Sequence, residues 1–315
     1  MPDICDQISR DLHIPRKWVE DALEVAQVSF RVIKIRKHSG GVRTLINPAV
    51  ETKMIQRWLL IKLFRSMQIS PIATAFEHGT SIVKNAHPHR QSIYSVRVDI
   101  SDFFPSIKFS DLISIMNLSR SELPHWAFDA STLNAINQTC FDRHGRLPIG
   151  YPSSPRIANI VMRNIDLSLT TELAERPEEF GKAVLTRYAD DFLFSSDLKG
   201  ACAAFVAEIK AQLAAASSPK LQVNDKKTRL MNRKSGSTFI TGLRVKPNGT
   251  LGVHAKYRDH VRLLIKLYAE RKLKTEDISK LRGHLAFVEH ADPALFSKIA
   301  FTYYSQIAKI RSNLA

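Results

Sequence analysis

Three acids carry the chemistry that this sequence could perform: the adjacent pair Asp190 and Asp191, and Asp99 far upstream. The pair lies at the centre of residues 184 to 196, where Val184, Leu185, Thr186 and Tyr188 precede it and Phe192, Leu193 and Phe194 follow it. Two runs rich in β-branched and aromatic residues around an acidic centre predict a β-hairpin with both carboxylates at its tight turn. Neighbouring side chains in a regular strand point to opposite faces, so a turn is one way to bring two adjacent acids towards a shared point. Carboxylate oxygens are the preferred protein ligands of hard divalent cations that bind phosphate. The ordinary alternative is a solvated Asp-rich turn.

Asp99 bears on that choice. It follows Ile93, Tyr94, Val96 and Val98, an apolar run that predicts a buried strand, and an acid there is costly unless paired or metal-bound. It is the natural third carboxylate for the pair, whereas Asp102 could cap the turn that follows. Two divalent ions about 3.5–4 Å apart, held by carboxylates from separate strands, can activate a hydroxyl and stabilise a leaving pyrophosphate. Two-metal phosphoryl transfer on nucleic acid is the chemistry this set suggests; a metal-dependent nuclease needs the same constellation.

The elements that must position these acids follow from periodicity. Residues 5 to 28 predict two short helices separated by Pro15. Phe30 to Ile46 alternates as a hairpin turning at Ser39, Gly40 and Gly41 and carrying Arg31, Lys34, Arg36, Lys37 and Arg43. Those charges are either a solvated face or a clamp on a triphosphate, for which the planar fork of Arg43 is well suited. Residues 51 to 68 predict an amphipathic helix, and 71 to 90 a loop-rich stretch. His87 and His89 lie in that stretch, but nothing nearby completes a metal-ligand set. Phe103 and Phe104 are either core or a wall of a nucleotide pocket. Residues 108 to 142 predict helices and loops. The loop from Leu147 to Pro155 precedes an apolar helix over 157–173, with Ser153 or Ser154 as its N-cap. Such a loop can offer backbone N–H groups to phosphate or be a plain cap. A helix over 200–216, a short strand over 221–223, a polar turn from Asn224 to Thr228 and a hairpin over 238–253 follow. From about His254 the chain predicts three helices whose first is basic on one side.

The chain has 315 residues, and its 46 Lys and Arg against 30 Asp and Glu give a formal charge of +16, which points to a polyanionic partner. The first ten residues lack the apolar core of a secretion signal, and no apolar stretch approaches a membrane span. Cys5, Cys140 and Cys202 are far apart, so buried inert thiols in a reducing cytoplasm are expected, with no membrane partner.

Taken in order, these motifs resemble the reverse transcriptases across nearly the full length of the chain. Tyr188-Ala189-Asp190-Asp191 matches that family's catalytic hairpin, and Val98 to Pro105 is similar to its first metal-binding strand. Leu147 to Pro155 resembles the loop that contacts template and nucleotide, and Asn224 to Thr228 the lysine-bearing turn. Within the family the likeness is to the bacterial retron enzymes: Asn85-Ala86-His87-Pro88-His89 fits their Asn-Ala-x-x-His element, and Ile240-Thr241-Gly242 resembles their Val-Thr-Gly element. Ile149 stands where many relatives carry Gln, which removes a polar side chain from the nucleotide's surroundings.

The resemblance implies an α+β right-hand polymerase with fingers over 1–92, a palm over 93–252 with inserted finger helices near 107–150, and a helical thumb over 253–315. It implies two Mg²⁺ ions at Asp99 and Asp190, with Asp191 in the same acidic cluster and the Ile100 backbone adding an oxygen. Lys34 and Arg43 would hold the triphosphate, Gly150 would line the nucleotide site, and Phe104 would exclude a ribose 2′-OH. Lys227 or Lys226 would protonate pyrophosphate. Asn85, Ala86, His89, Ile240, Thr241, Gly242, Lys256 and Arg262 would select RNA. The implied partners are dNTPs, a structured non-coding RNA that is both primer and template, its branched RNA–DNA product (msDNA) made from an internal guanosine 2′-OH, and an effector protein acting in phage defence. The chain is short for an intron maturase or for an added RNase H domain. The alternatives are a group II intron-like or other bacterial reverse transcriptase, and a basic RNA-binding protein that keeps the fold without turnover.

Overall fold

Alternating apolar residues place Tyr94–Asp99 as strand β3 of a central sheet, although the two strands before it belong elsewhere in the fold. The structure is a computed structural model describing residues 3–36, 40–236 and 238–312. Helices α1 (Ile4–Leu12) and α2 (Arg16–Val25) meet across Pro15. Strands β1 (Phe30–Arg36) and β2 (Val42–Pro48) pair as an antiparallel ribbon, exposed along most of its length. Gly40 and Gly41 adopt the left-handed backbone at its tip, and the expected turn residue Ser39 and the cation Lys37 lie outside the described residues. Helix α3 (Val50–Leu59) runs into a π-helical turn, Leu60–Phe64.

The stretch 71–90 contains more structure than its composition predicts. Ser81 Oγ accepts from the Lys84 N–H at 3.1 Å and starts α4 (Ile82–Ala86), which continues as a 3₁₀ turn, His87–Gln91. After β3 come α5 (Phe103–Ser106), α6 (Phe109–Leu118), α7 (Ala130–Cys140), α8 (Ser154–Glu175) and α9 (Pro177–Phe180). Ser153 occupies the N-cap position of α8 without making a capping bond; Ser154 Oγ instead donates to the Pro148 carbonyl at 2.6 Å, tying the loop to the helix.

The acidic hairpin forms as expected, with β4 (Val184–Tyr188) and β5 (Asp191–Ser196). Helix α10 (Ala201–Ala215) covers the back of the sheet, and β6 (Arg229–Asn232) closes its edge. The order is β4-β5-β3-β6, with all neighbours antiparallel. Residues 221–223 make only a single bridge, Val223 to Ile100, rather than a strand. The stretch 238–253 gives three strands instead of one hairpin: β7 (Thr238–Ile240), β8 (Leu243–Val245) and β9 (Leu251–Val253). Thr241 and Gly242, at φ 44° and 84°, make the extra tight turn between β7 and β8. Helices α11 (Ala255–Ala269), α12 (Thr275–Ala291) and α13 (Pro293–Thr302) follow, and α14 (Tyr304–Ser312) adds a fourth to the three expected.

Two cores result. One joins α1–α3, the inner face of the central sheet, α6–α8 and α10 around Ile55, Val98, Ile160, Phe194 and Phe205. The other joins α11–α14 and the small sheet through Leu243, Val261, Leu285 and Ile299, and it takes in Ala86 and Leu193 from outside that region. The three cysteines are buried and free, as expected. Among the described residues, no helix is long and apolar enough to cross a membrane.

Candidate active site

The antiparallel register does what the sequence requires of the three acids. Asp99, the last residue of β3, is the cross-strand partner of Asp191, the first of β5. Asp190 sits in the turn between β4 and β5, and its carbonyl accepts from the Ile100 N–H at 3.0 Å, locking the turn to the end of β3. Ala189 before it adopts φ 60°, a left-handed conformation that is unfavourable for a residue with a Cβ. The Ile100 side chain is buried in the core, so only its backbone is available to the site.

Lys227 rather than Lys226 meets this corner. The turn at Asn224, whose carbonyl accepts from the Lys227 and Thr228 N–H groups, directs the Lys227 Nζ to 2.9 and 3.1 Å from the Asp99 carboxylate. Arg97, two residues before Asp99 on the same strand face, has its Nε 3.7 Å from Asp191 Oδ1, beyond hydrogen-bond reach. Both of those atoms are buried without a hydrogen bond. Burial pushes the Asp190 carboxyl above its ordinary range and Asp191 up to about 6, while Arg97 pulls Asp191 back down.

Among the described residues, no three His, Cys, Asp or Glu side chains form a ready-made metal-ligand set. The donors nevertheless fit a divalent cation. All are hard oxygens, two carboxyls are raised by burial, one buried carboxylate oxygen is unpartnered, and a lysine ammonium already rests on the third acid.

The expected nucleotide contacts divide. Arg43 lies near enough for its charge to lower the pKa of Asp190. Lys34 does not converge with it: Lys34 pairs with Thr44 and Arg43 with Ile35, so the two cations stand on opposite faces of the ribbon. Gly150 is fixed by close approach. At φ 107°, a Cβ there would lie 2.6 Å from the Ile46 carbonyl oxygen, and the Ile46 N–H donates to the Ile149 carbonyl at 2.8 Å. Loop 147–155 is thereby sealed against β2. Phe104 is half-buried, with Phe103 in the core 5.3 Å away and Phe76 6.3 Å away between ring centroids. Phe76 is exposed and holds φ 68°, a conformation rare for a bulky residue, and nothing in its loop-rich surroundings signals it in the sequence. Asp102 stands at the start of α5 without the side-chain capping bond expected of it.

Half of the residues expected to select RNA are buried. Asn85 and His89 are each 1% exposed and Ala86 is fully buried. His89 Nδ1 lies 2.7 Å from Ser195 Oγ and its Nε2 2.9 Å from Thr186 Oγ1, joining the two strands of the acidic hairpin. Asn85 accepts from Thr74 Oγ1 at 2.6 Å and its Nδ2 donates to Thr241 Oγ1 at 3.4 Å. The two short elements that suggested RNA selection therefore touch each other and brace the hairpin. Ile240 belongs to the second core together with Ala86, and no direct RNA contact from Asn85, Ala86, His89 or Ile240 fits this burial. Gly242, Lys256 and Arg262 are exposed, and Arg262 lines a groove of about 370 Å³ with Leu263, Lys266, Lys298 and Tyr303.

One feature of the site was not anticipated. Arg187 and Asp166 form an ion pair with both side chains 0% exposed, directly behind the acidic turn. The signal was present in the sequence: Met162, Asp166, Leu169 and Leu173 share one stripe of α8, and an acid in an apolar stripe needs a partner.

Residues 35–255 match the family model described as reverse transcriptase (RNA-dependent DNA polymerase). The chain is 32% identical to the retron Ec73 reverse transcriptase of Escherichia coli over 309 residues, covering 97% of this chain and 92% of that protein. It is 27% identical to the retron Ec83 reverse transcriptase of Escherichia coli, covering 87% and 86%, and 29% identical to the retron Mx65 reverse transcriptase of Myxococcus xanthus, covering 92% and 66%. Among solved structures it is similar to Candida albicans telomerase in complex with a fragment of telomeric RNA, at TM-score 0.50 and 11% identity over 95% of this chain and 61% of that one. Apo telomerase from Candida tropicalis gives TM-score 0.51 and 12% identity over 93% and 62%. The chain spans about three fifths of the length of these telomerase chains, and the likeness is one of fold, the α+β right-hand polymerase. With the family model across most of its length and a relative matched nearly end to end, the chain belongs to the reverse transcriptases, RNA-directed DNA polymerases that as a family use divalent metal ions, and within them to the bacterial retron enzymes.

Proposed function

We propose that this reverse transcriptase copies part of a cognate structured non-coding RNA into DNA, starting from an internal guanosine 2′-OH of that RNA, and so produces a branched RNA–DNA molecule. The observation that carries the catalytic part of this reading is the convergence of Asp99, Asp190 and Asp191 at one end of the central sheet, with Lys227 on Asp99. In this reading fingers occupy 1–92, the palm 93–252 with finger helices near 107–150, and the thumb 253–315.

Asp99 and Asp190 would hold two Mg²⁺ ions, with Asp191 and the Ile100 backbone beside them, and the bound ions would lower the pKa of the attacking hydroxyl and neutralise charge on the leaving group. Arg43 holds the triphosphate from the ribbon face opposite Lys34. Gly150 keeps loop 147–155 close to β2, so that backbone lines the nucleotide site. Phe104, backed by Phe103 and flanked by Phe76, excludes a ribose 2′-OH and selects dNTPs. Lys227 gives a proton to the departing pyrophosphate. RNA is gripped by Lys256, Arg262 and the surrounding basic surface, and the Asn85 to His89 and Ile240 to Gly242 elements set the position of that surface against the hairpin. The product would act in the cytoplasm, beside an effector protein, in defence against phage.

The test is expression of the gene with its flanking DNA, followed by extraction of nucleic acid. A short DNA whose mobility changes after RNase and after debranching treatment is expected, and it is absent from an Asp190→Asn strain. Primer extension on a generic template without any branched DNA in cells would overturn the priming reading and leave the polymerase.

A further inference from the structure

The acidic turn is held from behind by a group that none of the chemistry above uses. Arg187, on β4, is among the largest fully buried side chains of the protein. Its Nε and Nη2 donate to the two carboxylate oxygens of Asp166 at 2.8 and 2.7 Å. Its Nη1 donates to Asn159 Oδ1 and to the Ala189 carbonyl, both at 3.1 Å. The guanidinium thus joins two points on α8 to the residue whose left-handed backbone aims Asp190 at the end of β3. Asn159 carries the connection further: its Nδ2 donates to the Ala75 carbonyl at 3.0 Å and to Glu77 Oε1 at 2.9 Å. Ala75 and Glu77 flank Phe76, whose ring stands beside Phe104. Arg156, one turn earlier on α8, fixes the other Glu77 oxygen at 2.6 Å.

We propose that Arg187, oriented by Asp166, is a positioning residue for DNA synthesis: it holds the Ala189 carbonyl, and through it the catalytic turn, in register with β3, while Asn159 links that turn to the Phe76–Phe104 wall. The inference rests on the reading of Asp99, Asp190 and Asp191 as the catalytic acids. A planar fork is what the task requires. Four hydrogen bonds leave one guanidinium in fixed directions towards three residues, and a lysine ammonium can keep the charge but cannot span them. A buried pair is weak support for stability in itself, since apolar replacements of similar volume are often tolerated, so the bonds of Arg187 to Asn159 and to the Ala189 carbonyl are the better guide to what it does.

Two variants test this: Arg187→Lys, which keeps a cation for Asp166, and the double variant Arg187→Met with Asp166→Leu, which leaves no unpaired buried charge. Each is measured for thermal unfolding, for affinity to a primed RNA template, for kcat and KM with dNTPs, and for hydrogen exchange of the Ile100 amide, which donates to the Asp190 carbonyl. In either folded variant, kcat is expected to fall at least tenfold with template affinity within threefold of the parent. Exchange at Ile100 is expected to accelerate at least tenfold while the middle of β3 is unchanged. A purely structural role would move unfolding and template affinity together and leave this split absent. A folded variant with kcat and Ile100 exchange both within twofold of the parent overturns the proposal. Asp190→Asn, run alongside, separates the two readings: if it still synthesises DNA the catalytic assignment fails, whatever the exchange of Ile100 shows.

Discussion

His89 illustrates how far a side chain can lie from the role its type suggests. Enclosed between the Ser195 and Thr186 hydroxyls, it has its pKa lowered by burial from 6.5 to about 3, so it is neutral in the folded protein at any pH near neutrality. In the unfolded chain it takes up a proton at its ordinary value. Above pH 6.5 the residue is neutral in both states and its contribution is fully present; below that value the unfolded state binds the extra proton and stability declines towards the folded pKa of about 3. Unfolding free energy measured by denaturant at neutral pH and at about pH 5 should show a loss of about 2 kcal/mol from this residue. A His89→Gln variant should be less stable at neutral pH but flatter across that interval. An unchanged slope in the variant would mean that the imidazole is not held neutral. Burial was not legible here because a His among Asn, Pro and Arg has the composition of a surface loop, and its partners lie 97 and 106 residues further along.

At the scale of elements, the sequence was most informative where one chemical rule decided the outcome. The acidic hairpin follows from apolar runs around a turn, and β3 from alternation ending in an acid; both form with the expected residues. The ribbon β1–β2 was equally legible as a hairpin, but not the register that sends Lys34 and Arg43 to opposite faces, because that depends on the geometry of its turn. The least legible element was the contact between α4 and the β7–β8 turn. Neither Asn85 nor Thr241 can be recognised alone as half of a joint between positions 156 residues apart. If the joint is mechanical, Asn85→Ala should cost about 1–3 kcal/mol, because buried hydrogen-bonding groups lose their partner. A double-mutant cycle with Thr241→Val should then show coupling of about 0.5 kcal/mol or more. RNA affinity should follow stability in these variants and recover on cooling. A loss of RNA affinity at unchanged stability would instead mark Asn85 as a direct contact.

At the scale of the whole molecule, the sheet that carries the three acids contributes to both cores, Val98 and Phe194 to the first and Leu193 to the second, and the basic helix α11 is built on the second of them. The large positive charge was readable from composition and the order of motifs from the chain itself. The packing of Ala86 and Leu193 into the second core was not, because both are ordinary apolar residues whose partners are chosen by tertiary structure. The account as a whole depends on Asp99, Asp190 and Asp191 acting as one site. The most direct measurement is incorporation of dNTPs on a primed RNA template with Mg²⁺ by the purified protein and by Asp190→Asn, with RNA affinity determined in parallel. The account predicts DNA synthesis by the parent, a fall of roughly 10³-fold or more in the variant as expected when charge stabilisation of the transition state is removed, and RNA affinity within about threefold. Synthesis by Asp190→Asn at a rate near that of the parent would contradict it.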